Sequence, residues 1–261
     1  MKLLLDLGNT RIKWALLPPP GGWLAQGALD WQEGFAAQLE SALSGLPIPQ
    51  TIVAASVVDA AREVLVADAV GRLFAREPTW LRTPAIACGV RNAYAEPQRL
   101  GVDRFLAMVA AYADGYAPCV VASAGTALTL DALAADGRHL GGLIAPGPLL
   151  MQRSLVDATA RVRLERPGTI RELADNTADA VTSGCWQAAA ALIERFVARQ
   201  APILGGAPAL ILGGGDAAQL RPLLGVPAQI SHDGVLRGLA VWANAPGAAS
   251  DQLASIDVLP T

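Results

Sequence analysis

The chain has 261 residues, 52% hydrophobic and 16% charged, with a formal net charge of −3. That length suits one large domain or two of ordinary size, with ample apolar material for their cores. No basic run exceeds two residues, which argues against nucleic acid as the main partner, since phosphate-backbone binding needs clustered Lys and Arg. A small anionic ligand needs only local donors and is not excluded.

Taken in chain order, Lys2 to Leu7 reads as a buried strand and Arg11 to Leu17 as the next. In the second, Ile12, Trp14 and Leu16 share one face while Arg11 and Lys13 share the other. "PPPGG" at 18–22 is a turn, and Trp23 to Leu29 reads as a third strand. A helix over Trp31 to Ser44, a strand at 51–56, a helix from Asp59 to Ala75 and a brief strand at Trp80 to Arg82 follow. Pro84 to Leu100 is irregular, and Val102 to Asp114 is helical.

The pattern then restarts. Strands are expected at Cys119–Ser123, Ala127–Leu133 and His139–Ile144, with a helix starting near Pro146 or Pro148. Thr177 to Gln200 is a long helix, and "ALILGGG" at 209–215 is a strand ending in a glycine turn. Helices at Ala217–Leu224 and Gly234–Asn244 precede a frayed tail from about Ala245. The organisation is two α/β halves, residues 1–100 and 118–261, bridged by a helix within 101–117.

The cysteines at 88, 119 and 185 are far apart and show no metal-binding spacing, so free thiols in a reducing compartment are expected. No signal peptide is evident and no uncharged apolar run reaches the ~20 residues that span a bilayer. A soluble cytoplasmic protein is the expectation. His139 and His232 stand alone in the sequence and suggest structural or surface roles.

"DLGNT", Asp6 to Thr10, lies between two apolar strands. Its residues suit either a tight Asx-type hairpin turn or an anion site. In the second reading Thr10 offers its hydroxyl and N–H, and Asp6 meets phosphate through Mg²⁺ and water. "GVDRF", Gly101 to Phe105, starts a helix, where a carboxylate is favoured in any case. The functional alternative makes Asp103 the acceptor of a substrate hydroxyl's proton and Arg104 the partner of a substrate anion. "SAGT", Ser123 to Thr126, repeats the turn chemistry of Gly8 and Thr10. "LGGLIAPG" and "LGGGDAAQL" are glycine turns that could line a ligand pocket, but neither is a Walker A loop.

Taken in order, "DLGNTRIK" (6–13), "NAYAEPQRLGVDRF" (92–105), "SAGTALTLD" (123–131), "GGLIAPG" (141–147), "NTADAVTSG" (176–184) and "GGGDA" (213–217) resemble the type III pantothenate kinases. These belong to the acetate and sugar kinase/Hsp70/actin superfamily. The resemblance implies two ribonuclease-H-like, actin-like ATPase halves, each a mixed sheet flanked by helices, with the ATP cleft between them. It implies that Asp6, Leu7, Gly8, Asn9, Thr10, Arg11, Ile12 and Lys13 form the ATP phosphate loop and that Thr126 contacts ATP. Tyr94, Gly101, Val102, Asp103 and Arg104 would bind pantothenate, with Asp103 as general base. Thr177 would contact pantothenate across a homodimer interface.

The implied reaction converts ATP and pantothenate into ADP and 4′-phosphopantothenate, with Mg²⁺ and often K⁺ or NH₄⁺. Family members commonly carry Asp where Ser123 stands, at the monovalent-cation position. Two alternatives remain at this stage: a non-catalytic regulatory protein on the same fold, or a kinase for another small hydroxylated substrate.

Overall fold

The computed structural model describes residues 1–19, 21–159, 162–163 and 165–246. The chain divides into two compact units. The first opens with β1 (Lys2–Leu7), β2 (Arg11–Leu17), β3 (Ala25–Asp30), α1 (Phe35–Leu43), β4 (Thr51–Ser56), α2 (Ala60–Phe74) and β5 (Pro78–Leu81). The two-residue strands β6 (Ile86–Ala87) and β7 (Val90–Arg91), a 3₁₀ turn at Pro97–Arg99 and α3 (Val102–Ala113) follow. The second unit holds β8 (Cys119–Ala124), β9 (Ala127–Leu133), β10 (His139–Pro146), α4 (Pro148–Ala158), α5 (Thr177–Gln200), β11 (Ala209–Gly213), α6 (Ala217–Leu220) and β12 (Ala228–Ile230). The chain then returns to the first unit as α7 (Gly234–Asn244).

The repeat expected from the order of elements is present as topology. The first sheet runs β3-β2-β1-β4-β5 and the second β10-β9-β8-β11-β12. In each, the opening strand pairs antiparallel with the second and parallel with the fourth. Strands buried on both faces need apolar residues at every position. Accordingly, β1 sends Leu3, Leu5 and Leu7 into a core with α1 and α2, and Leu4 into a core with α3 and α7. The alternation read in β2 holds at its start, where Arg11 is exposed and Ile12 buried, and gives way to burial on both faces from Trp14 onward.

Helix boundaries follow local chemistry. The Asp59 carboxylate accepts the Arg62 N–H at 3.0 Å and caps α2, which ends with Ala75 in the left-handed region. Asn176 caps α5 by accepting the Asp179 N–H at 3.0 Å. The first helix differs from expectation: it starts at Phe35, after a left-handed Gly34, and Trp31 lies outside it. The strand β12 has no counterpart in the sequence reading.

The unit boundaries also differ from those expected. The helix at 102–113 is part of the first unit rather than a bridge, and the helix at 234–244 leaves the C-terminal half to join it. Both are amphipathic and bury residues such as Val102, Leu106, Leu236 and Leu239 against one face of the first sheet. The Lys2 ammonium donates to the Ala243 carbonyl and, at 2.7 Å, to Asn244 Oδ1, tying the end of α7 to β1. Of the expected tail, residues from 247 lie outside the described residues.

Candidate active site

The first turn sits at the end of β1. Its Gly8 N–H donates to the Arg11 carbonyl at 3.0 Å, closing the hairpin. Asn9 and Thr10 are exposed, Asp6 is half-buried, and Leu7 and Ile12 are buried beneath them. The register sets Lys13 directly opposite Asp6 across the β1–β2 ladder, a placement in which opposite charges interact. The Arg11 guanidinium lies 3.1 Å from the Asp30 carboxylate on β3, with both side chains more than half exposed. A pair in that setting contributes little stability.

A second group assembles where the irregular 84–100 segment meets α3. The Asn92 side chain donates to the Pro97 carbonyl at 3.0 Å and accepts the Tyr94 N–H at 2.9 Å. Thr83 donates its hydroxyl to the Leu100 carbonyl at 2.7 Å in a buried bond. These bonds fold the segment so that Tyr94 meets α3. Arg104, although charged, is only 5% exposed; its Nη1 donates to the Tyr94 hydroxyl at 3.2 Å, and its guanidinium carbon lies 5.9 Å from the ring centroid.

Asp103 occupies the first turn of α3, and its Oδ1 accepts the Arg104 N–H at 2.8 Å. Gly101 makes room for it, since a Cβ there would lie 2.6 Å from that same oxygen. Tyr94, Gly101, Val102, Asp103 and Arg104 therefore form one local cluster. A carboxylate beside a buried guanidinium can accept a proton while the guanidinium holds an anion.

In the second unit, three glycine segments meet at the turn after β8. A Cβ on Gly147 would sit 1.8 Å from the Gly125 carbonyl oxygen, and the Gly147 N–H donates to the Thr126 carbonyl at 2.9 Å. Gly214, at φ +90°, lies so close to Ala124 that a Cβ would be 2.1 Å from its carbonyl oxygen. The Asp216 N–H donates to that carbonyl at 3.1 Å. "SAGT", "APG" and "GGGDA" thus meet as one backbone cluster, with Thr126 exposed on it. Ser123 is half-buried on β8, between Thr129 of β9 and Gly213 of β11.

Thr177 is exposed in the first turn of α5. Beside it, buried Asp179 accepts Arg166 Nη1 at 3.0 Å, the Thr169 N–H at 2.8 Å and Asn176 Nδ2 at 3.0 Å. These donors, Arg166 foremost, hold its carboxyl well below the usual carboxylate range. Sequence reasoning did not single out this network. The capping-box-like spacing of Asn176 and Asp179 was its available signal, whereas nothing local pointed to Arg166.

His139 is also more specific than expected. It is fully buried and lies 2.9 Å from Asp131 Oδ1, joining β10 to β9. The thiols are free, as expected: Cys119 and Cys185 are buried and Cys88 half-buried. Burial pushes the Cys119 thiol up to about 12, which disfavours its thiolate form.

Among the described residues no group of three or more His, Cys, Asp or Glu could hold a metal ion. The donor set does fit a Mg²⁺ that arrives with phosphates, because such an ion keeps its waters and takes one or two carboxylates. Asp6 is a carboxylate of that kind. Ser123 offers only a neutral hydroxyl. Asp216 Oδ2 is buried and without a partner among the described residues, and burial raises the Asp216 carboxyl.

Comparison with known proteins gives these clusters a family context. The family model described as type III pantothenate kinase matches residues 2–199. A type III pantothenate kinase of Aromatoleum aromaticum is 43% identical over 249 residues, covering 95% of this chain and 100% of the relative. One from Xanthomonas campestris pv. campestris is 44% identical over 240 residues, covering 92% and 96%. Among solved structures, the activator of the 2-hydroxyisocaproyl-CoA dehydratase from Clostridium difficile, with bound ADPNP, superposes at a TM-score of 0.56. It is 12% identical and covers 99% of each chain, a likeness of fold alone. The two mixed sheets flanked by helices are the α/β fold expected from the sequence, and the activator shares that fold. On the extent of the family match and the identity to its members, the chain belongs to the type III pantothenate kinases.

Proposed function

We propose that this protein transfers the γ-phosphoryl group of ATP to the hydroxyl of pantothenate, giving ADP and 4′-phosphopantothenate, the first step of coenzyme A synthesis. The carrying observation is the cluster of Asp103, buried Arg104 and Tyr94 at the start of α3. In this reading Arg104 and Tyr94 hold the pantothenate carboxylate, and Gly101 and Val102 shape the floor. The substrate hydroxyl attacks the γ-phosphorus, the bond to the β–γ bridging oxygen breaks, and Asp103 takes the hydroxyl proton. Such a carboxylate mainly orients the hydroxyl and accepts its proton late.

Residues Asp6 to Lys13 and Thr126 bind the phosphates in this scheme, through N–H groups, hydroxyls and the Lys13 ammonium. Asp6 would hold a Mg²⁺ that arrives with the nucleotide, and that ion would supply neutralising charge. A coupled assay of ADP release with pantothenate and a panel of sugars tests the proposal. Turnover is expected with pantothenate; its absence at every Mg²⁺ and K⁺ concentration would refute the activity.

The monovalent-cation requirement is expected to be weak. K⁺ takes oxygen ligands, and replacing a carboxylate by the Ser123 hydroxyl removes the negative charge that retains it. Activity in Na⁺ or Tris buffer is expected within about twofold of that in K⁺, less than the ~1.4 kcal/mol that a tenfold change represents. Absolute dependence on K⁺ would show that the site draws its charge from elsewhere.

A homodimer is the expected working form, with Thr177 contacting the substrate bound by the partner. The second unit carries apolar surface consistent with this. Leu143 and Ile144 on edge strand β10, and Leu149 and Leu155 on α4, are each more than 40% exposed. Exposed apolar side chains on an edge strand and on the helix that follows it favour association. Ile144→Asp is expected to give a monomer in analytical ultracentrifugation; an unchanged dimer would remove this face from the interface.

No helix among the described residues is long and apolar enough to cross a membrane. The cytoplasm is the proposed setting, in keeping with the free thiols.

A further inference from the structure

We propose that Trp31 is a positioning residue for the phosphate loop of residues 6–13, fixing its peptide groups so that their N–H sides are presented to nucleotide. This rests on the assignment of that loop to ATP. Trp31 is half-buried, outside the loop and outside α1. It nevertheless donates to two loop carbonyls. Its indole Nε1–H reaches the Gly8 oxygen at 2.7 Å, and its backbone N–H reaches the Thr10 oxygen at 3.3 Å.

The consequence follows from peptide geometry. The Gly8–Asn9 and Thr10–Arg11 peptides are trans and planar. In such a peptide the N–H points opposite to the C=O. With both carbonyls turned toward Trp31, the Asn9 and Arg11 N–H groups are directed away from it. A phosphate is repelled by carbonyl oxygens and attracted by N–H groups, so this orientation favours an anion on the far side of the turn. Holding the donors in place beforehand removes the cost of turning them when nucleotide arrives.

Trp31 is itself fixed. Its ring packs on Phe35 with centroids 4.3 Å apart, and the Arg62 guanidinium sits 5.1 Å from its centroid. Phe35 is buried in the core with Leu39 and Leu43. The hydrophobic core of the first unit is thereby linked, through one indole, to the backbone of an exposed turn.

The test uses the intact enzyme and three variants, with steady-state kinetics for both substrates and thermal unfolding. Trp31→Phe keeps the stacked ring and removes the donor. A neutral hydrogen bond corresponds to about a three- to tenfold change in an equilibrium constant. The KM for ATP is therefore expected to rise about three- to tenfold, with kcat changed less than about twofold and the KM for pantothenate unaltered. Trp31→His restores an N–H donor on a five-membered ring and is expected to recover part of the loss.

An unchanged KM for ATP in Trp31→Phe overturns the proposal. So does an equal rise in both KM values, or failure of Trp31→His to recover affinity while both variants lose thermal stability equally. Thr10→Ala separates the proposal from the assignment beneath it. If Thr10→Ala weakens ATP use and Trp31→Phe does not, Trp31 is only structural. If neither variant affects ATP, the loop assignment itself is wrong.

Discussion

Asp103→Asn is expected to lower kcat by about 10²–10⁴-fold, the usual contribution of a positioned general base, while melting unchanged. Asn is nearly isosteric with Asp, and its amide oxygen can still accept the Arg104 N–H that Asp103 Oδ1 accepts at 2.8 Å. The Arg104–Tyr94 contact does not involve the carboxylate and should survive. What is lost is the negative charge that, in the proposed mechanism, orients the substrate hydroxyl and takes its proton. The effect should therefore fall on kcat, with the KM for pantothenate changed only a few-fold. Measured in the coupled assay, a kcat within about threefold of the parent enzyme would show that another group performs the proton transfer.

The largest effect on stability is expected at Gly238. This residue lies in α7 where the helix crosses α3. A Cβ there would come 2.0 Å from the Leu106 carbonyl oxygen and 2.6 Å from its carbonyl carbon. These are backbone atoms, so no rotamer change relieves the clash; one helix must move. Both helices cover the same face of the first sheet, over Leu4, Ala15 and Val53, and moving either one opens that core.

Gly238→Ala is expected to cost about 3 kcal/mol, at the upper end for overpacking, and to lower Tm by about 6–12 °C. Gly71→Ala in α2 is the control. Nothing lies within 4 Å of its Cβ position, and replacing an interior helical Gly there should stabilise by about 0.5–1 kcal/mol. Equal melting temperatures for the two variants would show that α3 and α7 are not in close contact.

Asp103 was legible in the sequence because its neighbours Gly101, Arg104 and Tyr94 lie within ten residues, and short-range motifs survive as strings. The same holds for the Asp6–Lys13 turn and for Ser123–Thr126. That the glycine segments at 141–147 and 213–217 close on the second turn could not be read locally. It depends on β11 pairing with β8 and on β10 returning beside β9. The role of Trp31 was hidden for a related reason. The helical pattern runs on through it, but α1 starts only after the left-handed Gly34, and Trp31 instead bonds to Gly8, 23 residues earlier.

The sequence by itself determined most of the elements and the order in which they repeat. Apolar runs, alternation and caps act over a few residues, so β4, β9, α5 and α7 are bounded as their residues dictate. It also determined the family, through motifs that keep their order and spacing. Tertiary structure alone decided which unit owns α7, because its amphipathic face fits any apolar surface and only packing against α3 selects one. It decided that three residues, Ala228–Ile230, become a strand, since so short a segment has no period of its own and is held by β11. It also decided that His139 is buried against Asp131. In each case the deciding energy comes from contacts between residues far apart in the chain, which no local pattern records.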